Sequence, residues 1–295
     1  MSDACMLGCK HIWENGEWID LTANGNEPNT EREGVLFIST ELQEDELQTL
    51  ALAFISGVNE EKILGGLPID FEEKQRITRA AEELKNSSLK FIYLPNFRVS
   101  DIENIVKRAH FGQKCNYIFY DYLGTSLGIL EDISSRAKGI AMREDSILFI
   151  LATRLKELAI QYDIFIETAT QLNQGWKTDS IPDQNLLRGA KSIADRIDIG
   201  TILLNVTQDD LENLSTAGYI DKWGRVPNVK LSVYKNRRGR IVNCYIWMYA
   251  DKGTCRFDPI AATTWDLAPY EIASLSLVGS CKQVQPKPVI ANELR

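Results

Sequence analysis

The sequence predicts an α/β protein with an open, mostly parallel sheet, helices on both faces and an antiparallel hairpin at one edge. Three observations carry this expectation. Strand-length apolar runs alternate with helix-length amphipathic ones, the order that builds a parallel sheet through helical crossovers. The apolar runs lack clean polar/apolar alternation, as strands covered on both faces require. The last two runs, VKLSVYK and IVNCYIWMY, are separated only by NRRGR. That turn is too short for a crossover, so the two runs pair antiparallel.

GVLFIS, Gly34 to Ser39, reads as the first buried strand, and EDELQTLALAFIS follows as an amphipathic helix. FEEKQRITRAAEELKNS is a second helix, because Ile77, Ala80, Ala81 and Leu84 recur at steps that keep one face apolar. LKFIYL is a strand, DIENIVKRAHF a helix and NYIFYD a strand. EDSILFILATRLKELAIQYD is a long helix whose apolar positions include Ile147, Phe149, Leu151, Leu155 and Leu158. IFIETAT is a strand; a polar loop, Asn173 to Asp183, then leads into a short helix ending near Asp195. GTILLNV is a strand, and Asn205 to Asn228 is a polar insertion carrying Trp223 and Gly224 ahead of the final hairpin. The end, KQVQPKPVIANELR, is a Pro-containing tail to which no structure is assigned.

Composition narrows the class. The chain has 295 residues, 44% hydrophobic and 25% charged, with a formal net charge of −8. That balance excludes a polybasic coat for nucleic acid, though not a small basic site. No apolar run reaches the length of a membrane span, and MSDACMLGCK shows no charged-then-apolar signal pattern; a cytoplasmic location is expected. The six cysteines are scattered, which favours free thiols. Cys5, Cys9 and His11 cluster, but the only other histidine is His110 and a structural zinc needs four ligands. Cys5 and Cys9 read instead as one face of a helix.

In parallel α/β sheets, ligands bind beyond the carboxyl ends of the strands. Thr40 and Glu41 follow GVLFIS; Asp121 follows NYIFY; Gln171 and Asn173 follow IFIETAT; Lys235, Arg237 and Arg238 follow KLSVY. Two acids, amides and several cations thus collect at strand ends, a set that suits phosphoryl transfer. A strand-end Asp can hold Mg²⁺, a Glu can take a proton from attacking water, a Gln can orient that water, and cations can neutralise developing charge. Any one of them alone is more often a helix cap, a solvated loop residue or a hairpin turn; their joint placement favours the functional reading.

VLFISTELQEDEL, IFYDYLG, LKELAIQYDIFIETATQLNQ, LLRGAKSIADRIDIGTILL and VYKNRRGR resemble, in that order, segments of the motor domain of DnaB-type replicative DNA helicases, phage-like members above all. The resemblance spans about Gly34 to Phe257. It implies a RecA-like fold, ATP and Mg²⁺ as cofactors, a homo-oligomeric ring such as a hexamer, single-stranded DNA in its channel, and primase or a helicase loader as partners. It implies that Glu41 is the catalytic glutamate, that Asp121 is the Walker B aspartate facing Mg²⁺ through water, and that Gln171 is the glutamine of the Ser-Gln-Leu motif. It further implies that Lys235 and Arg237 reach the nucleotide of the neighbouring subunit, and that Arg188, Gly189 and Lys191 touch DNA. On this basis residues 1–33 are a remnant of the helix after the phosphate loop plus a linker, 34–258 the RecA-like ATPase core and 259–295 a tail.

There are departures. Thr40 stands where the family has Leu, Gly124 replaces a Gln, and Thr125 to Arg143 is longer than the usual connection. No G-x-x-x-x-G-K-[ST] loop occurs anywhere in the sequence, although such a loop normally cradles the phosphates. SDACMLGCKHIW looks like the rest of the helix that follows it, so a truncated or split helicase is expected, binding ATP weakly on its own. A RecA-like sheet without its first central strand would leave two strands with open edges. The alternative is a non-catalytic or non-helicase RecA-fold subunit acting as an assembly or loader partner.

Overall fold

The computed structural model describes residues 8–21, 23–24, 27–28, 34–136, 143–172, 193–237, 239 and 241–270. Two small hairpins come first: β1 (His11–Glu14) with β2 (Glu17–Asp20), and β3 (Ala23–Asn24) with β4 (Glu27–Pro28). Strands β5 (Gly34–Ser39), β6 (Leu89–Tyr93), β7 (Cys115–Asp121) and β8 (Phe165–Thr168) form a parallel sheet in the order β6-β5-β7-β8. Its helices are α1 (Glu44–Ser56), α2 (Glu60–Ile63), α3 (Phe71–Lys85), α4 (Val99–Gln113), α5 (Leu127–Arg136) and α6 (Glu144–Tyr162). Strand β9 (Ile199–Asn205) leads through α7 (Gln208–Thr216) and α8 (Tyr219–Trp223) to β10 (Val229–Asn236), β11 (Cys244–Asp251) and β12 (Arg256–Thr264). These four strands make an antiparallel sheet, β12-β11-β10-β9.

The parallel sheet is covered on both faces. On one, Leu36, Ile38, Ile118 and Tyr120 pack against apolar residues of α4 and α6. On the other, Val35, Phe37 and Phe119 meet Leu47, Ala51 and Phe54 of α1, Ala80 of α3 and Ile12 of β1. Strand β5 is buried at every residue, which explains its unbroken apolar run. Gly34 opens it because a Cβ there would lie 2.8 Å from both Cys115 Sγ and the Gln113 carbonyl oxygen. Helix α3 starts on a reciprocal cap: Glu73 N donates to Asp70 Oδ1 at 2.8 Å and Asp70 N to Glu73 Oε2 at 3.1 Å.

Two expectations are corrected. His11–Trp13 does not continue a helix; it is strand β1. Asn15 and Gly16 have φ of 50° and 88°, the pair of positive angles of a two-residue hairpin turn that Asn-Gly favours. Trp13 and Trp18 then face each other across the strands, ring centroids 5.8 Å apart. The antiparallel part is also larger than a hairpin, because β12 runs across the boundary expected at 258/259. Pro259 hides that strand in the sequence. It is tolerated because β12 is an edge strand and the pairing shifts register between Trp247 and Met248, opposite Ala261 and Pro259.

Among the described residues, no backbone pairing joins β8 to β9, so the parallel and antiparallel sheets stay separate. They are nonetheless tied together. Lys156 of α6 pairs with Asp198 just ahead of β9, Leu172 packs against Ile202, and Ile193 belongs to the core under the parallel sheet.

Candidate active site

The carboxyl ends of β5, β7 and β8 meet at one place because of register. Ser39 of β5 lies opposite Asp121 of β7. The pairing then continues by one residue: Thr40 N donates to the Asp121 carbonyl oxygen at 2.8 Å, and Thr40 Oγ1 donates to the same oxygen at 3.2 Å. The Thr that departs from the family pattern therefore adds a bond between the two strand ends. Ser39, fully buried, turns the chain by accepting from Leu42 N at 2.8 Å and Glu41 N at 3.3 Å. That turn presents Glu41 to solvent beside Asp121.

Glu41, Tyr122 and Gln171 form a hydrogen-bonded chain across the three strand ends. Tyr122 Oη donates to Glu41 Oε1 at 3.0 Å and accepts from Gln171 Nε2 at 3.3 Å. The Asp121–Tyr122 peptide is cis. Below this chain, Thr168 Oγ1 donates to the Tyr120 carbonyl oxygen at 2.7 Å, and Leu123 N donates to that of Ala169 at 2.9 Å. The end of β8 is thus fixed to the end of β7. Burial, and next the Glu41 carboxylate, push the Asp121 carboxyl above its ordinary value. A carboxyl made costly to ionise by burial and a neighbouring acid would be relieved by a cation beside it, and Asp121 would offer oxygen donors that suit a hard divalent ion such as Mg²⁺.

Of the expected site residues, Glu41, Asp121 and Gln171 come together. Lys235 and Arg237 form a separate group on β10 and its end. Lys235 Nζ donates to the Ala194 carbonyl oxygen. Arg237 Nη2 donates to that of Asp195 at 2.6 Å, and Arg237 N to that of Asp198 at 2.9 Å. Burial, and next the Arg237 charge, lower the Lys235 pKa. Arg188, Gly189 and Lys191 lie outside the described residues. Sequence reasoning missed Tyr122. The available signal was an aromatic hydroxyl directly after a strand-end carboxylate, whose partners only the sheet register reveals.

Fold and strand-end acids together define the class: a RecA-like motor domain. The chain belongs to the DnaB-like helicase C-terminal domain family, whose model matches residues 19–258. It is 32% identical over 286 residues to the SPbeta prophage-derived uncharacterized protein YorI of Bacillus subtilis (strain 168), covering 94% of this chain and 54% of that protein. It is 27% identical over 181 residues to the replicative DNA helicase DnaB of Treponema pallidum (strain Nichols), covering 61% of this chain and 39% of that one. The chain therefore spans about half or less of the length of these relatives. Among solved structures, a DnaB-like replicative helicase described with its interactions with primase superposes with a TM-score of 0.59 at 17% identity, over 77% of this chain and 50% of that one. A second solved structure, an ATPase domain, gives 0.59 at 18% identity, over 77% of this chain and 74% of that one. Both likenesses are of fold. No described helix is long and apolar enough to cross a membrane.

Proposed function

We propose that this chain is the motor domain of a DnaB-type replicative helicase, one that hydrolyses ATP between subunits of a cytoplasmic ring and moves along single-stranded DNA. The observation that carries the reading is the Glu41–Tyr122–Gln171 chain beside Asp121 at adjacent strand ends. Bound Mg²⁺ would supply charge neutralisation on the phosphates, and Asp121 would hold it through water. Glu41, exposed at its turn, accepts the proton of the attacking water. The Tyr122 hydroxyl restrains the Glu41 carboxylate, and the Gln171 amide senses the γ-phosphate. Lys235 and Arg237 serve a neighbouring subunit's nucleotide in a head-to-tail ring, such as a hexamer. Arg188, Gly189 and Lys191 contact DNA phosphates. The core of this motor runs from residue 34 through the end of β12 at Thr264, and primase or a loader is the partner class.

A second reading, a non-catalytic RecA-fold subunit, is favoured by one observation: the sequence contains no G-x-x-x-x-G-K-[ST] loop. One experiment separates the two. The chain is extended upstream with a strand and phosphate loop, and Mg²⁺-dependent ATP binding and turnover are measured with and without Glu41→Gln. Under the helicase reading ATP binds in both, and Glu41→Gln lowers turnover about a hundredfold or more, the usual contribution of a positioned base. Undiminished turnover would make Glu41 a structural acid at the start of α1. Absence of turnover in the extended wild type would establish the non-catalytic reading.

A further inference from the structure

On the antiparallel sheet, aromatic rings dominate a small core far from the strand-end acids in sequence. Leu214 of α7 and Tyr245 and Trp247 of β11 are buried there. Tyr219, Trp223 and Trp265 pack against them and stay partly exposed. The Tyr219 and Trp223 rings stack, centroids 5.0 Å apart and 17° from parallel, and Trp223 leans on Trp247 at 6.3 Å. Tyr219 Oη donates to the Leu267 carbonyl oxygen at 2.8 Å, which fixes α8 beside the turn that follows β12. One donor in this group is left over. Among the described residues, Trp265 Nε1 is buried and has no hydrogen-bond partner. A buried indole N–H normally finds an acceptor, and leaving it without one is costly.

The helices over this core are acidic. Together α7 and α8 carry Asp209, Asp210, Glu212 and Asp221 against Lys222 alone, and Asp266 is exposed beside Trp265. Lys230 of β10 neutralises Asp210, its Nζ 2.6 Å from Oδ1; the other acids named are exposed. The sequence holds one segment of complementary chemistry. Gln285-Pro286-Lys287-Pro288 is its only Pro-x-Pro, flanked by Val284, Val289 and Ile290, and Lys287 is the one charge from 284 to 290. The described chain leaves from the aromatic surface itself. It runs past Trp265 and Leu267 to Tyr270, whose N donates to the Ala262 carbonyl oxygen at 3.1 Å. Pro286 lies sixteen residues further on, a reach of at most about 55 Å.

We propose that residues 284–290 of the same chain dock on this aromatic, acidic surface as a polyproline segment. This goes beyond the nucleotide reading and does not depend on it. A polyproline helix makes no internal hydrogen bonds, so its carbonyl oxygens are free acceptors, and one of them takes the Trp265 Nε1 proton. Proline-rich segments bind aromatic-lined surfaces because their fixed φ leaves little conformational freedom to lose. Pro286 and Pro288 rest against the Tyr219 and Trp223 rings, and Lys287 between them answers Asp221 and Asp266. Tethering through sixteen residues holds the segment at roughly millimolar local concentration, so a contact that is weak between separate molecules is sufficient within one.

The test compares the 295-residue chain with its Pro286→Ala/Pro288→Ala variant. The indole N–H signal of Trp265, assigned through Trp265→Phe, is followed by NMR, and amide hydrogen exchange by mass spectrometry. In the variant the Trp265 signal is expected to move, and exchange in 219–223 and 264–268 to quicken by about tenfold. Exchange in 34–39, inside the parallel sheet, should stay as it was, which shows that the fold is intact. A synthetic Val-Gln-Pro-Lys-Pro-Val-Ile peptide, added to the variant at millimolar concentration, should return both readouts toward those of the unaltered chain. The same peptide with alanine for both prolines should return neither. A Trp265 signal and exchange rates unchanged in the variant would overturn the proposal, as would equal return by the alanine peptide. Protection of 219–223 and 264–268 that fades when the unaltered chain is diluted would assign the docked segment to a second copy and overturn it as well.

Discussion

Arg256 ties three parts of the molecule together, and its removal should be felt as stability. Its guanidinium Nη2 donates at 2.5 Å to the carbonyl oxygens of Trp13 and Phe54, and Nε donates to the latter at 3.2 Å. The same group lies 5.4 Å from the centre of the Phe54 ring. One side chain from β12 thus anchors the β1–β2 hairpin and the end of α1. Nearby, Gly57 closes α1 at φ 62°. Hydrogen bonds to charged groups contribute roughly 1.5–3 kcal/mol each, and the cost of holding a guanidinium away from water offsets part of that sum. A net loss of about 3 kcal/mol for Arg256→Ala is therefore expected, which in a domain of this size is roughly 6–12 °C in Tm. Lys keeps the charge but cannot fork between two carbonyls, so Arg256→Lys should recover less than half. Thermal unfolding followed by tryptophan fluorescence measures both. A loss under about 1 kcal/mol, or full recovery by Lys, would show that the clamp is incidental and the reasoning wrong.

Three further outcomes follow from the site. The Asp121 carboxyl is held above its ordinary value of 3.8, so the unfolded chain ionises first and stability falls as pH rises from there through the folded value. Asp121→Asn should raise the urea midpoint at pH 7, leave it unchanged below the ordinary carboxylate range, and abolish Mg²⁺-dependent ATP binding in the extended chain; no gain at pH 7 would refute the burial argument. Tyr122→Phe removes the donor to Glu41 and the acceptor for Gln171. With about 1 kcal/mol at an exposed bond, kcat should fall roughly fivefold with KM for ATP held, and a change confined to KM would assign Tyr122 to binding. Arg237→Ala in the extended chain should keep ATP binding and lose about a thousandfold in turnover. Mixing it with Glu41→Gln should restore part, because some interfaces then pair an intact glutamate with an intact arginine; mixed rings without rescue would refute action between subunits.

The strands and helices of the parallel sheet are legible in the sequence because each buries a long apolar run or stripe, and local pattern decides them. Asn15-Gly16 was equally local, but its flanks from Glu14 to Asp20 mix charge with tryptophan and hide the strand period. Strand β12 was concealed by Pro259, whose bulge exists only against β11. At the site, Glu41 and Asp121 were legible as strand-end acids. Their meeting needs the Ser39–Asp121 register, and the part played by Tyr122 needs partners that lie 81 and 49 residues away in sequence. The bonds from Lys235 and Arg237 to the main chain of Ala194 and Asp195 span 41 and 42 residues, beyond any periodicity.

Those last two bonds make a lever. Both cations grip the backbone at Ala194 and Asp195, a few peptide units beyond Lys191 in the chain. A peptide unit transmits displacement almost without stretch, because its bond lengths and planarity are stiff. A displacement of Ile193, the core residue just before Ala194, is therefore delivered to the ammonium and guanidinium tips through the carbonyls they hold. Force applied at one end of this linkage becomes a change of aim at the other, with a backbone hydrogen bond as the pawl.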